Sequence, residues 1–317
     1  MVAPILPVTE VTAGKPGPTV AFVAGVHGGK VAAIQALDVL RQRLPGRLLQ
    51  GRVLLVSPAN AAGYAAGLAQ ISPDDSLNLN RVFPGRADGS RTERLAAKIM
   101  SDIVSHSDYL MDLHGSDGDE AVGAFAYAAR PGVTPRVDSA AKALAEAWGA
   151  PVIVWDDAGP RTLAESRFLQ TAAHLSGVPA ITVFEAGATR EDAAATAAFI
   201  AGVERTLRTL GMLGASVDAA RDAGVGRSAA TSTTAPPTPV LLARRAVVSA
   251  QADAVWRPMT APGARLAPGE PAGWLRSSSG VEVAVPVPDG GLVLHLRKAG
   301  PLRAGTPLVI TGISSTP

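Results

Sequence analysis

Over the first two-thirds of the chain, short apolar runs rich in β-branched residues alternate with longer stretches in which apolar positions recur every three to four residues. The runs cover 19–26, 52–57, 108–113, 152–155 and 180–184. Their length and their polar or Gly/Pro boundaries predict buried strands. Between them, residues 31–44 place Ile34, Leu37, Leu40 and Leu44 on one helical face, and Pro45-Gly46 ends the pattern. Ser90-Arg91-Thr92-Glu93 reads as a capping box, in which side chains at both ends of the first turn satisfy orphan backbone N–H groups. The helix it opens should bury Leu95, Ile99 and Ile103. A third long helix is predicted over about 190–212. Strands alternating with helices predict an α/β fold built on a doubly wound, mostly parallel sheet covered on both faces.

The pattern then changes. Residues 213–239 are dominated by Ala, Gly, Ser, Thr and Pro and read as a linker. Residues 240–317 carry many Pro and Gly among short Val/Leu runs, which predicts a small C-terminal all-β module. The expected organisation is an α/β domain over 1–212, the linker, and a β module that shapes the site or forms a homo-oligomer contact.

Composition acts mainly by exclusion. With 47% hydrophobic and 18% charged residues, the 317-residue chain is too apolar for disorder. It has no cysteine, so disulfides, thiolate zinc sites and cysteine nucleophiles are excluded, and any metal must use histidines and carboxylates. There are 29 Lys and Arg against 27 Asp and Glu, a net charge of +2, and aromatics make up 4%. That small excess and scarcity of stacking surfaces argue against a nucleic-acid partner. Neither a signal peptide nor an apolar run of roughly 18 residues stands out, so a soluble, cytoplasmic protein with no membrane partner is expected.

Open α/β sheets bind ligands beyond the carboxyl ends of their strands. Three residues are predicted there: His27 after the run 19–26, His114 after 108–113, and Glu185 after 180–184. Two histidines and a carboxylate from different strand ends are raw material for a catalytic zinc site, in which the metal activates water and a carboxylate moves the proton. The competing account is that each histidine is a structural residue.

The segments Gly25-Val26-His27-Gly28-Gly29, Asn78-Leu79-Asn80-Arg81-Val82-Phe83-Pro84-Gly85, Asp112-Leu113-His114 and 179–187 (Pro-Ala-Ile-Thr-Val-Phe-Glu-Ala-Gly) occur in an order and spacing that resemble the succinylglutamate desuccinylase/aspartoacylase family, relatives of the zinc carboxypeptidases. The resemblance covers most of the chain. It implies a zinc-carboxypeptidase-like fold and hydrolysis of the amide of an N-acyl amino acid or similar small amide with one zinc ion. It further implies that His27 and His114 are metal ligands, that Glu185 is the general base, and that Asn80 and Arg81 grip a substrate carboxylate. A planar guanidinium suits a carboxylate bidentately. Alternatively, Arg81 ties its loop to Asp74 or Asp75.

Two positions depart from that pattern. Lys30 stands where the family's His-x-x-Glu places its ligand Glu, and an ammonium offers three donors and no lone pair. Gln70 stands where many relatives carry an Arg for the developing oxyanion. Several outcomes at Lys30 stay open. Asp117, Asp119 or Glu120 could replace the missing ligand, although a solvated loop is the preferred reading of that cluster. Lys30 could supply the metal's positive charge itself at a helix start. Zinc could be weakly held or absent, leaving a homologue that binds a small carboxylate without hydrolysis. His106, His174 and His295 show no partner pattern and read as surface or structural residues.

Overall fold

The computed structural model describes residues 6–130, 132, 134–157, 159–187, 191–214 and 238–315. Most of the linker expected over 213–239 therefore lies outside the described residues. In chain order the first part comprises β1 (Val8–Thr12), β2 (Thr19–Ala24), α1 (Val31–Arg43), β3 (Arg52–Val56), α2 (Ala61–Ala65), α3 (Arg91–Asp102), β4 (Tyr109–His114), β5 (Glu120–Val122), β6 (Phe125–Ala129), α4 (Pro135–Trp148), β7 (Val152–Asp156), α5 (Leu169–Leu175), β8 (Ala180–Phe184) and α6 (Ala193–Thr209). Strands β9 (Val240–Leu242), β10 (Arg244–Ser249), β11 (Ala254–Pro258), β12 (Arg265–Leu266), β13 (Pro271–Arg276), β14 (Glu282–Pro286), β15 (Gly291–Arg297), β16 (Gly300–Leu302) and β17 (Pro307–Ile313) follow.

The large sheet has the order β1-β3-β2-β4-β8-β6-β7-β9. Its pairings are parallel except β1 with β3 and β6 with β8, so the sheet is mixed. Successive residues of β2 separate into two cores. Val20, Phe22 and Ala24 pack on one side with residues of α1, α4 and α6; Ala21 and Val23 pack on the other with residues of α3 and α5. Helices thus cover both faces, as the alternation of strand and helix predicts. The capping box forms as read: Glu93 N donates to Ser90 Oγ and Ser90 N to Glu93 Oε2. Among the described residues no helix is long and apolar enough to cross a membrane.

The small C-terminal strands form two further antiparallel sheets around a core that includes Trp256, Val293 and Leu308. Two strands bind this part to the large sheet. β9 pairs with β7 at the large sheet's edge, and β5, from the first part of the chain, pairs with β15, placing Val122 opposite His295.

Gly202 on α6 faces the buried Trp148 ring, and a Cβ built there would stand 2.4 Å from ring carbons. Alanine is the better helix former by about 1 kcal/mol, but overpacking a core contact costs about 1–3 kcal/mol. Gly202→Ala should therefore lower the melting temperature, measured by circular dichroism; an unchanged or higher value would show that Trp148 moves aside freely.

Candidate active site

The parallel register of β2, β4 and β8 brings three strand ends side by side, with His114 paired in register with Phe184. His27 follows β2 in a tight turn. Gly28 is needed there because a Cβ would meet the backbone of Tyr64 and Gly63 at 2.5 and 2.7 Å. The His27 and His114 rings meet edge to face with centroids 5.3 Å apart, and both are buried. Asn78 Oδ1 accepts from Asn80 N and lies 2.9 Å from His27 Nε2. That oxygen is an acceptor, so the Nε2 of His27 carries the proton and the lone pair of the neutral ring is on Nδ1. Burial, His114 and the Lys30 charge hold His27 well below the usual histidine pKa, so it is neutral at pH 7. His114 Nε2 lies 2.9 Å from Oδ2 of the fully buried Asp112.

These histidines line a cavity of about 540 Å³ that also receives Lys30, Gln70, Asn80, Arg81 and side chains of the C-terminal strands, including Arg245 and His295. Arg81 is solvent-accessible, its guanidinium 4.9 Å from the Phe168 ring centroid and donating to Asn80 O at 2.7 Å. It is not tied to the aspartates of its own loop: Asp74 pairs with Arg91, and Asp75 accepts from Thr92. Asn80 Oδ1 accepts from Leu169 N at the start of α5, which leaves its NH2 as the group available to a ligand. Arg245 stacks over Tyr127 at 3.7 Å.

The structure does not bring Glu185 into this cavity. Neighbouring residues of an extended chain point to opposite faces. Phe184 lines the cavity and stacks on Phe125, so Glu185 turns to the other face, where Oε1 accepts from Trp148 Nε1 at 2.7 Å. The 117–120 cluster also differs from the solvated loop expected. Asp117 is buried, and Glu120 and Asp117 both approach the Lys30 ammonium, at 2.6 and 3.5 Å. Gln70 donates to Asp117 at 3.1 Å. Sequence reasoning missed Tyr127, Phe168, Arg245 and His295. No local spacing marks them, because they reach the cavity from other elements. His295, read as structural or superficial, packs on Phe184 and lies 3.5 Å from Glu120.

Residues 16–210, more than half of the chain, match the family model described as Succinylglutamate desuccinylase/Aspartoacylase catalytic domain. The chain belongs to this family. N-alpha-acetyl-L-2,4-diaminobutyric acid deacetylase of Halomonas elongata is 43% identical over 112 residues, 35% of this chain and 32% of that protein. The match thus spans about a third of that relative's length. Two solved structures share the fold. A succinylglutamate desuccinylase/aspartoacylase from Rhodobacter sphaeroides has a TM-score of 0.80 at 22% identity, covering 98% of this chain and 90% of that one. The product-bound ectoine utilization protein EutE (DoeB) from Ruegeria pomeroyi has a TM-score of 0.78 at 23% identity, covering 97% and 88%.

The family in general uses zinc, and the donor set of this member does not fit a three-ligand zinc site. His27 and His114 supply two nitrogens. Lys30, three residues after His27, brings an ammonium already paired with Glu120 and Asp117. Among the described residues, no group of three or more His, Asp or Glu is arranged to hold a metal ion.

Burial raises the Glu185 carboxyl above its ordinary pKa, against the opposing pull of the Trp148 N–H and Arg205. Folding therefore favours its protonated form, and its ionisation removes stability as pH rises from the unfolded pKa through the higher folded one. Glutamine keeps the acceptor for Trp148 and cannot ionise. Thermal melts from about pH 4 to about pH 7 should show Glu185→Gln gaining on the wild type as pH rises. A constant difference would mean that Glu185 is not buried against Trp148.

Proposed function

We propose that this protein cleaves the amide of a small N-acyl amino acid or a similar carboxylate-bearing amide. The observation that carries the reading is the charge of the cavity. Lys30, Arg81, Arg245 and Arg297 line it against only two carboxylates, Asp119 and Glu120. Such a surplus favours an anionic ligand. Family membership supports deacylation as the reaction, as does the name of the relative from Halomonas elongata.

In this reading the Arg81 fork holds the ligand's carboxylate while the Asn80 NH2 adds a donor. Arg81, His27 and His114 line the same cavity, so a carboxylate anchored on Arg81 shares that space with the histidines. The neutral His27 offers an acceptor at the nitrogen that Asn78 does not hold. Phe184 and Phe125 supply an apolar wall beside His114.

Binding without hydrolysis is a second reading, favoured by the Glu185 carboxylate's placement on Trp148 and by the Lys30 ion pairs. Calorimetric titration with small N-acyl amino acids, paired with an assay for released amine, separates the two. Heat with amine release supports deacylation, and heat alone supports binding. Neither response across the series would overturn both.

Arg81→Lys keeps the charge and loses the fork. It should weaken a carboxylate ligand by about tenfold, the scale of one charge-assisted hydrogen bond, and leave the melting temperature nearly unchanged. A large fall in melting temperature with unaltered affinity would assign Arg81 to the scaffold.

A further inference from the structure

Lys30 is the last residue before α1, and its side chain is 3% exposed. A buried ammonium survives in the interior only with opposite charge and hydrogen-bond acceptors around it. Here both come from the segment between His114 and β6: Glu120 Oε1 at 2.6 Å and Asp117 Oδ2 at 3.5 Å. Each carboxylate is held by a further group. Gln70 donates to Asp117, and His295 Nδ1 lies 3.5 Å from Glu120 Oε2. Burial opposes the charge on Glu120, yet the Lys30 ammonium and His295 keep its carboxyl well below the usual carboxylate range. Asp117 and Glu120 are thereby both engaged by Lys30.

We propose that the Lys30–Glu120–Asp117 ion cluster takes the place of a metal ion in this cavity, so that the chain works without zinc. The Lys30 ammonium has no lone pair to offer a metal, and both carboxylates beside it are engaged by that ammonium. Two protein nitrogens fall short of the three protein donors of a catalytic tetrahedral site. The inference rests on the proposed function only for the location of the ligand cavity. Zinc content is measurable whether or not any amide is bound or cleaved.

The test is elemental analysis of the full chain purified from zinc-supplemented medium, followed by calorimetric titration with zinc alone. The wild type should carry far less than one ion per chain and show no saturable zinc binding. Lys30→Arg keeps the cation and should behave the same. Lys30→Glu removes the ammonium and adds a third donor. It should bind about one zinc per chain, with a gain in affinity above the roughly 10–100-fold that altering an outer-shell partner brings, and lose it when His114→Ala is added. Zinc in the wild type at one per chain, removed by His27→Ala or His114→Ala, would overturn the proposal. So would a folded Lys30→Glu variant that takes up no zinc. Should Lys30→Glu fail to fold, the metal content of the wild type and Lys30→Arg decides. Loss of ligand binding with zinc still absent would count against the proposed function and leave this inference standing.

Discussion

An ammonium buried beneath the surface has to be surrounded by negative charge, and much of the site's arrangement follows from how that is met at Lys30. Its partners lie on a segment that β4 delivers at the end of the parallel sheet. Glu120 opens β5, which pairs with β15 among the C-terminal strands. His295 on β15 then faces Glu120 from the other side. One set of charges thus joins the start of α1, the stretch after His114 and the C-terminal part of the chain. The hydrogen bond from Gln70 to Asp117 adds the loop at 69–71. Separating these elements would expose or orphan a charge, which costs several kcal/mol when one member of a buried pair is lost.

The same segment explains why the cavity combines residues so distant in sequence. β9 extends the large sheet while β10 carries Arg245 over Tyr127. Tyr127 lies on β6, whose antiparallel pairing with β8 sets Phe125 against Phe184. An aromatic path from His27 through His114 and Phe184 to His295 forms one wall. The guanidiniums supply the charge on the open side. The cavity accordingly combines this aromatic wall with the guanidinium groups of Arg81, Arg245 and Arg297.

Within the family, this combination separates recognition from chemistry. Asn80 and Arg81 line the cavity, and the nearby Asp74 and Asp75 are engaged elsewhere. Lys30 is held in an ion cluster with Glu120, and the Glu185 side chain accepts from Trp148 outside the cavity. Recognition depends on a few exposed donors and survives substitution readily. A metal site needs three donors converging on one point, and a single change from carboxylate to ammonium reverses the sign of the local charge.

The sequence by itself determined the α/β class, the core strands 19–24, 52–56 and 180–184 and the capped helix from Arg91, because local periodicity and capping chemistry act over a few residues. It also placed His27 and His114 on one rim of the sheet, since a residue following a parallel strand has little choice of rim. The adjacency of their strands came from the structure. Lys30 was legible as an anomaly only through the family resemblance, whose His-x-x-Glu spacing implies a ligand Glu at that position. The tertiary structure alone decided that β6 runs antiparallel to β8 and that β5 pairs with β15, since strand pairing over such separations leaves no short-range mark. It alone decided that Glu185 faces Trp148, because the direction of a residue just past a strand's end depends on the packing around it. And it alone decided that Asp117 and Glu120 are buried partners of Lys30, because the need to neutralise a buried charge arises only once folding has removed it from water.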